Sequence, residues 1–393
     1  MRVLFSTTAG AGHLGPLVPL ARACQTAGHE VVVAAPVSFA DPVRRVGFEH
    51  MGFPEAPPEA LGRLMAGLEN LSLDEANARM IQDVFGRLDA CAALPGMTGI
   101  IERCRPDVVV REMCEFGSLA AAELVGVPHV QVALGMHELC DRAEPLLAQP
   151  LAELGALVGM TDGRLSAALH DEPVFSTVPE RLDEPYRHTP TDAAPRMLRF
   201  RDASLSVTPG SLPGHWGKPT DPLVYVTFGS VAGSFHQSGG LFASTLEALA
   251  ELPVRVLLTT GESGDPDALR PWPDNAHVER WWPQVEVMPH AAVVVGHGGF
   301  GTTMTALAAG VPQVVVPLFA SDQVLNAERI AAAGAGVHVD GGTGSAASIC
   351  DAVTELLTHL EYGARARTLA AEMARLPEVA EAVPVLAELC GAG

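Results

Sequence analysis

The sequence predicts an α/β protein made of two halves, each a parallel sheet with flanking helices. Three observations predict it. Residues 1–35 read as a strand, a glycine-rich turn, a helix and a second strand. Residues 201–221 (RDASLSVTPGSLPGHWGKPTD) are rich in Pro, Gly and Ser, and the strand–helix pattern restarts after them. Residues 291–309 again run strand, glycine turn, helix. Strands alternating with helices build a parallel sheet. Two such halves are expected to face each other across a central cleft, with ligands at the carboxyl ends of the strands.

Taken in order, Arg2–Thr7 is a strand, residues 8–16 a turn, and Leu17–Ala27 a helix stopped by Gly28. Val31–Ala35 is the second strand. Asp107–Val110 and His129–Leu134 are two more, with the helix Ser118–Leu124 between them. Residues 54–100 and 136–200 are less regular and broken by prolines, as expected of loops and helices laid over a sheet. The second half offers strands at Leu223–Phe228, Val254–Thr259, His277–Arg280, Ala291–Val295 and Val314–Pro317, with helices at Leu241–Leu252 and Met304–Ala309. In the last helical stretch, Tyr362–Leu389, Pro377 and Pro384 are each expected to kink or break it. The expected organisation is a domain over 1–205, a linker over 206–221, a second domain over 222–370, and a terminal segment, 371–393, crossing back to the first half.

Composition narrows the function. Of 393 residues 48% are hydrophobic and 18% charged, which is globular rather than disordered. A net charge of −21 argues against nucleic acid or an anionic membrane as partner. Seven scattered cysteines without a CxxC pair point to reduced thiols and a cytoplasmic protein. No apolar run suggests a signal segment or a membrane span.

Residues 10–15 spell Gly10-x-Gly12-x-x-Gly15 between a strand and a helix, the pattern of a dinucleotide loop. Two features oppose that reading. The second strand ends at Pro36, where an acidic ribose ligand belongs, and the loop carries His13 at its centre. A histidine beside a helix start can stay neutral and take a proton. It then needs a partner for its other ring nitrogen. Glu112, after the strand Asp107–Val110, is one candidate, with Glu115 and Asp107 as fallbacks.

The turn at Gly296–Thr303 (GHGGFGTT) joins a strand to a helix. Glycines let the backbone approach a ligand closely, and the helix N-terminus favours an anion. His297, the two threonines and the later Asp322-Gln323 are more polar than a mere connection requires. Asp322 also reads as the N-cap of a helix over Val324–Ala332, a role compatible with ligand binding.

These motifs together resemble the family-1 nucleotide-sugar glycosyltransferases of the GT-B fold, with two facing Rossmann-like domains, and among them the bacterial natural-product enzymes. The likeness covers nearly the whole chain and is strongest over 223–230 and 277–340. It implies His13 as catalytic base and Glu112 at the position where the family usually has an aspartate partner, one methylene longer here. It implies donor contacts at Gly12, Ser230, Trp281, Trp282, Gln284, His297, Gly298, Gly299, Gly301, Thr302, Asp322 and Gln323. Trp281 would stack on the base; for Trp282 core packing is an equal reading. Acceptor contacts are expected at Met80, Phe85, Met113, Phe116, Met136 and His137. Eight of the eleven methionines other than Met1 lie in the first half, which suits an irregular apolar ligand. The implied reaction moves a sugar, as a dTDP- or other NDP-sugar, to a hydroxyl of a lipophilic acceptor with inversion. A sugar-nucleotide epimerase and a non-catalytic nucleotide-sugar binder are the alternatives. No cofactor and no metal are expected, since no acidic pair flanks the phosphate turn. The partners are the two small molecules and, as a homodimer, a second copy of the chain.

Overall fold

Runs such as Val31-Val32-Val33 and Val293-Val294-Val295 are apolar on both faces of the extended chain, so they fit only strands covered on both sides. The structure is a computed structural model that describes residues 1–68, 71–183, 197–205, 208–229, 238–261, 263–340 and 346–391. Its described residues form two compact units. One comprises Met1–Val178, Asp183–Ala203 and Leu376–Gly393, the other Pro179–Leu182 and Ser204–Arg375.

The first unit holds a seven-stranded sheet of order β3-β2-β1-β4-β5-β6-β7. Its strands are β1 Arg2–Ser6, β2 Glu30–Pro36, β3 Glu49–Phe53, β4 Val108–Glu112, β5 His129–Val132, β6 Val174–Ser176 and β7 Met197–Arg199. All neighbours pair in parallel. Alternation sends Val3, Phe5, Val108 and Val110 to one face, under the helix Val18–Thr26 and the terminal helix Ala382–Gly391. Leu4 and Val109 go to the other face, under the helices Ala90–Cys104, Gly117–Val125 and His137–Leu157. Each enclosed side chain of this kind stabilises the unit by roughly 1.5–3 kcal/mol.

The second unit holds a six-stranded parallel sheet of order β10-β9-β8-β11-β12-β13. Here the strands are β8 Leu223–Thr227, β9 Arg255–Thr259, β10 Ala276–Glu279, β11 Ala291–Gly296, β12 Gln313–Val315 and β13 Gly336–His338. In both sheets the chain first builds outward one way and then returns to build the other. The reversal lies between β1 and β4 in one and between β8 and β11 in the other, where open parallel sheets bind ligands.

Several expectations need correction. Residues 54–100, expected as loops and helices, are more regular than that: helices run over Pro58–Leu68 and, with a π-helical middle at Met80–Asp89, from Leu73 to Cys104. By length and composition that second run could cross a membrane. Its Ala93, Leu94, Met97, Ile100 and Ile101 are instead buried in the unit's core. In 136–200, read as loops and helices broken by prolines, Pro145 and Pro150 do not break the chain: one helix, His137–Leu157, contains both. Of the two late prolines only Pro377 interrupts, after the helix Leu360–Arg375; Pro384 sits in the first turn of Ala382–Gly391, where no amide partner is needed.

Candidate active site

At the first reversal point, β1 leads into Thr7-Thr8 and a short helical turn, Ala11–Leu14, which carries His13. Leu14 and Leu17 bury against the sheet face that holds Val108 and Val110. The register sets Ser6 beside Arg111, and alternation turns residue 112 to that same face. His13 Nδ1 thereby stands 3.2 Å from Glu112 Oε1. Glu112 is the last residue of β4, not a residue beyond it, and its side chain is fully enclosed rather than solvated.

The carboxylate is held from three sides. Its Oε1 accepts from the Thr8 amide at 3.1 Å and the Thr8 hydroxyl at 3.0 Å, and its Oε2 from the Cys114 amide at 2.6 Å. Burial pushes a carboxyl up, but the His13 ring and these donors hold Glu112 below the usual range. The fallback partners are engaged elsewhere. Glu115 accepts from the Ser6 hydroxyl at 2.8 Å and the Ser118 amide, and burial pushes it up. Asp107 takes the Arg2 amide at the opposite end of β4.

Around this pair, the Phe85 ring lies 5.7 Å from the His13 ring. Asp89, at the end of the same π-helical stretch, is pushed up to about 6 by burial and by Glu115 and Glu112. Met80, Met113 and His137 are half-buried. Phe116 and Met136 are enclosed in the core, so of the expected acceptor residues these two present no open surface. Gly12 is exposed one residue before His13. His13, Glu112 and Cys114 are the one group among the described residues whose ligand atoms, within 4.8 Å of one another, could hold a metal.

At the second reversal point, β11 ends in Gly296 and His297 follows. The helix Phe300–Ala308 starts four residues earlier than expected, so Gly301, Thr302 and Thr303 form its first turn. Gly299 is its N-cap and no side chain caps it; the Thr303 amide donates to the Gly299 carbonyl at 3.0 Å, which leaves the amides of Phe300, Gly301 and Thr302 for an anion. Gly298 has φ +84°, and a Cβ there would meet the Gln323 carbonyl and Val315. Gly229, after β8, lies against the His297 ring, as does Gly299, so neither position has room for a side chain. The His297 ring is buried, its Nδ1 has no partner, and burial lowers its pKa to about 4. Ser230 lies outside the described residues.

Trp281 and Trp282 part company. Trp281 is 61% exposed just beyond β10, while Trp282 packs on the core and donates to the Ser211 carbonyl at 3.2 Å. Gln284 Nε2 donates to Thr302 Oγ1 at 3.1 Å, tying the Trp-Pro-Gln turn to the phosphate-type turn. Asp322 is not a cap: the helix is Ser321–Ala332, Ala320 is its N-cap, and Asp322 sits in the first turn. Gln323 uses its carbonyl oxygen on the amides of Leu318 and Phe319, at 2.8 and 3.2 Å. Thr8, the Cys114 amide and Asn326, which donates to the Gly298 carbonyl at 2.8 Å, were not legible as site residues. The Cys114 amide and Asn326 act through or on backbone, Thr8 through both its amide and its hydroxyl, and no spacing signals that.

Residues 243–389 match the family model of the erythromycin biosynthesis protein CIII-like C-terminal domain. The chain is 33% identical over 395 residues to L-demethylnoviosyl transferase of Streptomyces niveus, covering 96% of this chain and 95% of that one. It belongs to the family-1 natural-product glycosyltransferases. This glycosyltransferase is also 28% identical over 425 residues to 4'-demethylrebeccamycin synthase of Lentzea aerocolonigenes, covering 98% of each chain. Among solved structures it superposes on glycosyltransferase VinC in complex with dTDP, with a TM-score of 0.77, 24% identity and full coverage of both chains. The calicheamicin glycosyltransferase CalG4 gives a TM-score of 0.79 at 23% identity, over 99% of this chain and 98% of that one. The glycosyltransferase has the GT-B fold of two Rossmann-like domains.

Proposed function

We propose that this glycosyltransferase moves a hexose or deoxyhexose, glucose included, from a dTDP-sugar to a hydroxyl of a lipophilic aglycone, inverting the anomeric centre. The observation that carries the reading is the His13–Glu112 pair, a half-exposed imidazole backed by a buried carboxylate that three further donors fix. Glu112 holds the ring through Nδ1 and stabilises the imidazolium, while Nε2 takes the acceptor's proton as its oxygen attacks the anomeric carbon. The bond from that carbon to the diphosphate breaks, and the electron pair leaves with dTDP. The growing charge falls on the uncapped first turn of Phe300–Ala308, with Gly298, Gly299, Gly301 and Thr302 against the phosphates and the neutral His297 as a donor. Trp281 offers its exposed face to the thymine, with Gln284 beside it. Asp322 and the side-chain NH2 of Gln323 face the sugar hydroxyls. No acidic pair flanks the phosphate turn, so the helix end takes the role a divalent cation has in other transferases. Met80, Phe85, Met113 and His137 supply the half-buried, mostly apolar wall an aglycone needs.

The test incubates the protein with dTDP-glucose and a panel of phenols and alcohols, and follows products by mass and by the anomeric proton coupling. A β-glycoside from the α-linked donor is the expected product. An α-glycoside, or dTDP-glucose bound but never consumed with any acceptor, contradicts the reading.

A further inference from the structure

Among the described residues Arg111 is the largest side chain with no exposed surface. It precedes Glu112 in β4 and turns to the other sheet face. Its Nη1 donates to the main-chain oxygens of Glu112, Met113 and Glu115, at 3.2, 3.5 and 3.4 Å. Its Nη2 donates to Gln131 Oε1 at 2.7 Å, the residue opposite it on β5. Nη2 and Nε together pair with both carboxylate oxygens of the buried Glu172. Glu172 Oε2 is also 2.7 Å from His129 Nδ1, and His129 Nε2 is 3.2 Å from Glu123 Oε1. A chain of alternating charges thus runs from Glu123 to the backbone carrying Glu112.

Stability alone does not call for this arrangement. A buried ion pair costs several kcal/mol of desolvation per ion, and apolar replacements often serve as well or better. What the guanidinium does here is gather three carbonyls of one short loop. That loop supplies the Cys114 amide, which holds Glu112 Oε2, and it starts at Glu112 itself.

We infer that Arg111 is a positioning residue for the transfer reaction: by gathering the carbonyls of Glu112, Met113 and Glu115 it sets the Glu112 carboxylate against His13. The inference rests on reading His13 as base and Glu112 as its partner. Glu172 and His129 hold the guanidinium in place and so act one step further back. Lysine cannot substitute, because a single ammonium cannot reach three carbonyls, an amide oxygen and a carboxylate at once.

The experiment is a double-mutant cycle of Arg111→Lys and Glu112→Gln, using dTDP-glucose with 4-methylumbelliferone as fluorescent acceptor. Arg111→Lys alone is expected to lower kcat about tenfold or more, with KM for dTDP-glucose and affinity for dTDP within about twofold of wild type. In the Glu112→Gln background the same change is expected to cost less than about twofold, because the group it positions is gone. Equal losses in both backgrounds, or an effect confined to KM, overturn the inference. If Arg111→Lys does not fold, Glu172→Gln takes its place in the cycle. The same pattern is expected of it, and wild-type turnover in that variant overturns the inference. An impaired Glu112→Gln beside an unimpaired Arg111→Lys contradicts the positioning role alone. Wild-type turnover in Glu112→Gln contradicts the reading beneath it.

Discussion

Glu112 Oε1 stands 3.2 Å from His13 Nδ1, with the carboxylate enclosed and the imidazole partly open. The two residues lie 99 positions apart yet meet because β1 and β4 are neighbours at the point where the sheet reverses. The buried partner accepts from donors on three sides and holds the ring through Nδ1.

That arrangement has a stability consequence at acid pH. The Glu112 pKa is lowered in the folded state, so its contribution is present above the unfolded value, ~4.5, and is lost as pH falls through the folded one. Urea midpoints between pH 3 and 6 are expected to fall more steeply for wild type than for Glu112→Gln. Parallel slopes would show that the carboxylate gains nothing from its surroundings.

His129 works at the other end of the scale. Burial lowers its pKa, but Glu123 and Glu172 override that and raise it from 6.5 to about 9. Its contribution is therefore full below ~6.5 and lost as pH rises through about 9. The shift corresponds to roughly 3 kcal/mol at most. Urea midpoints are expected to decline from pH 7 to 9.5 in wild type and to stay nearly flat in His129→Gln. A His129→Gln curve as steep as wild type would contradict this.

The two tryptophans should separate binding from folding. Trp281→Ala is expected to weaken dTDP by ~1–3 kcal/mol, the range for stacking a base on an aromatic ring, with the unfolding midpoint unchanged. Trp282→Ala is expected to destabilise the protein by roughly 1–3 kcal/mol through lost packing and a lost hydrogen bond. Calorimetric titration and thermal melts read both. Loss of dTDP affinity in Trp282→Ala with an unchanged melting temperature would reverse the assignment.

His297, with a pKa near 4, is neutral from about pH 5 upward. Affinity for dTDP-glucose, whose phosphates do not titrate there, is expected to be flat from pH 5.5 to 8. A cationic histidine would instead give affinity falling as pH rises through 6 to 7. Gly299→Ala, whose Cβ would overlap the His297 ring, is expected to reduce that affinity about tenfold or more while the protein still folds.

The sheets were legible because their central strands are short apolar runs, several of them of consecutive valines. The edge strands β3, β7 and β13, and β6 next to an edge, were not, being short or mixed, as with Glu49–Phe53. Helices were missed where Pro95, Pro145 and Pro150 sit inside them, since tertiary packing tolerates the lost amide that local rules penalise. The glycines around His297 were visible as a motif. The supports for Glu112 were not, because the Thr8 amide and hydroxyl, the Cys114 amide and the Arg111 guanidinium reach it or its backbone only where the fold brings them together.

The central claim is that His13 takes the acceptor's proton. The most direct measurement is kcat of His13→Ala with dTDP-glucose and 4-methylumbelliferone, paired with its affinity for dTDP. A loss of ~10²–10⁴ in kcat with dTDP affinity unchanged is the predicted result. Turnover within about threefold of wild type would contradict the claim.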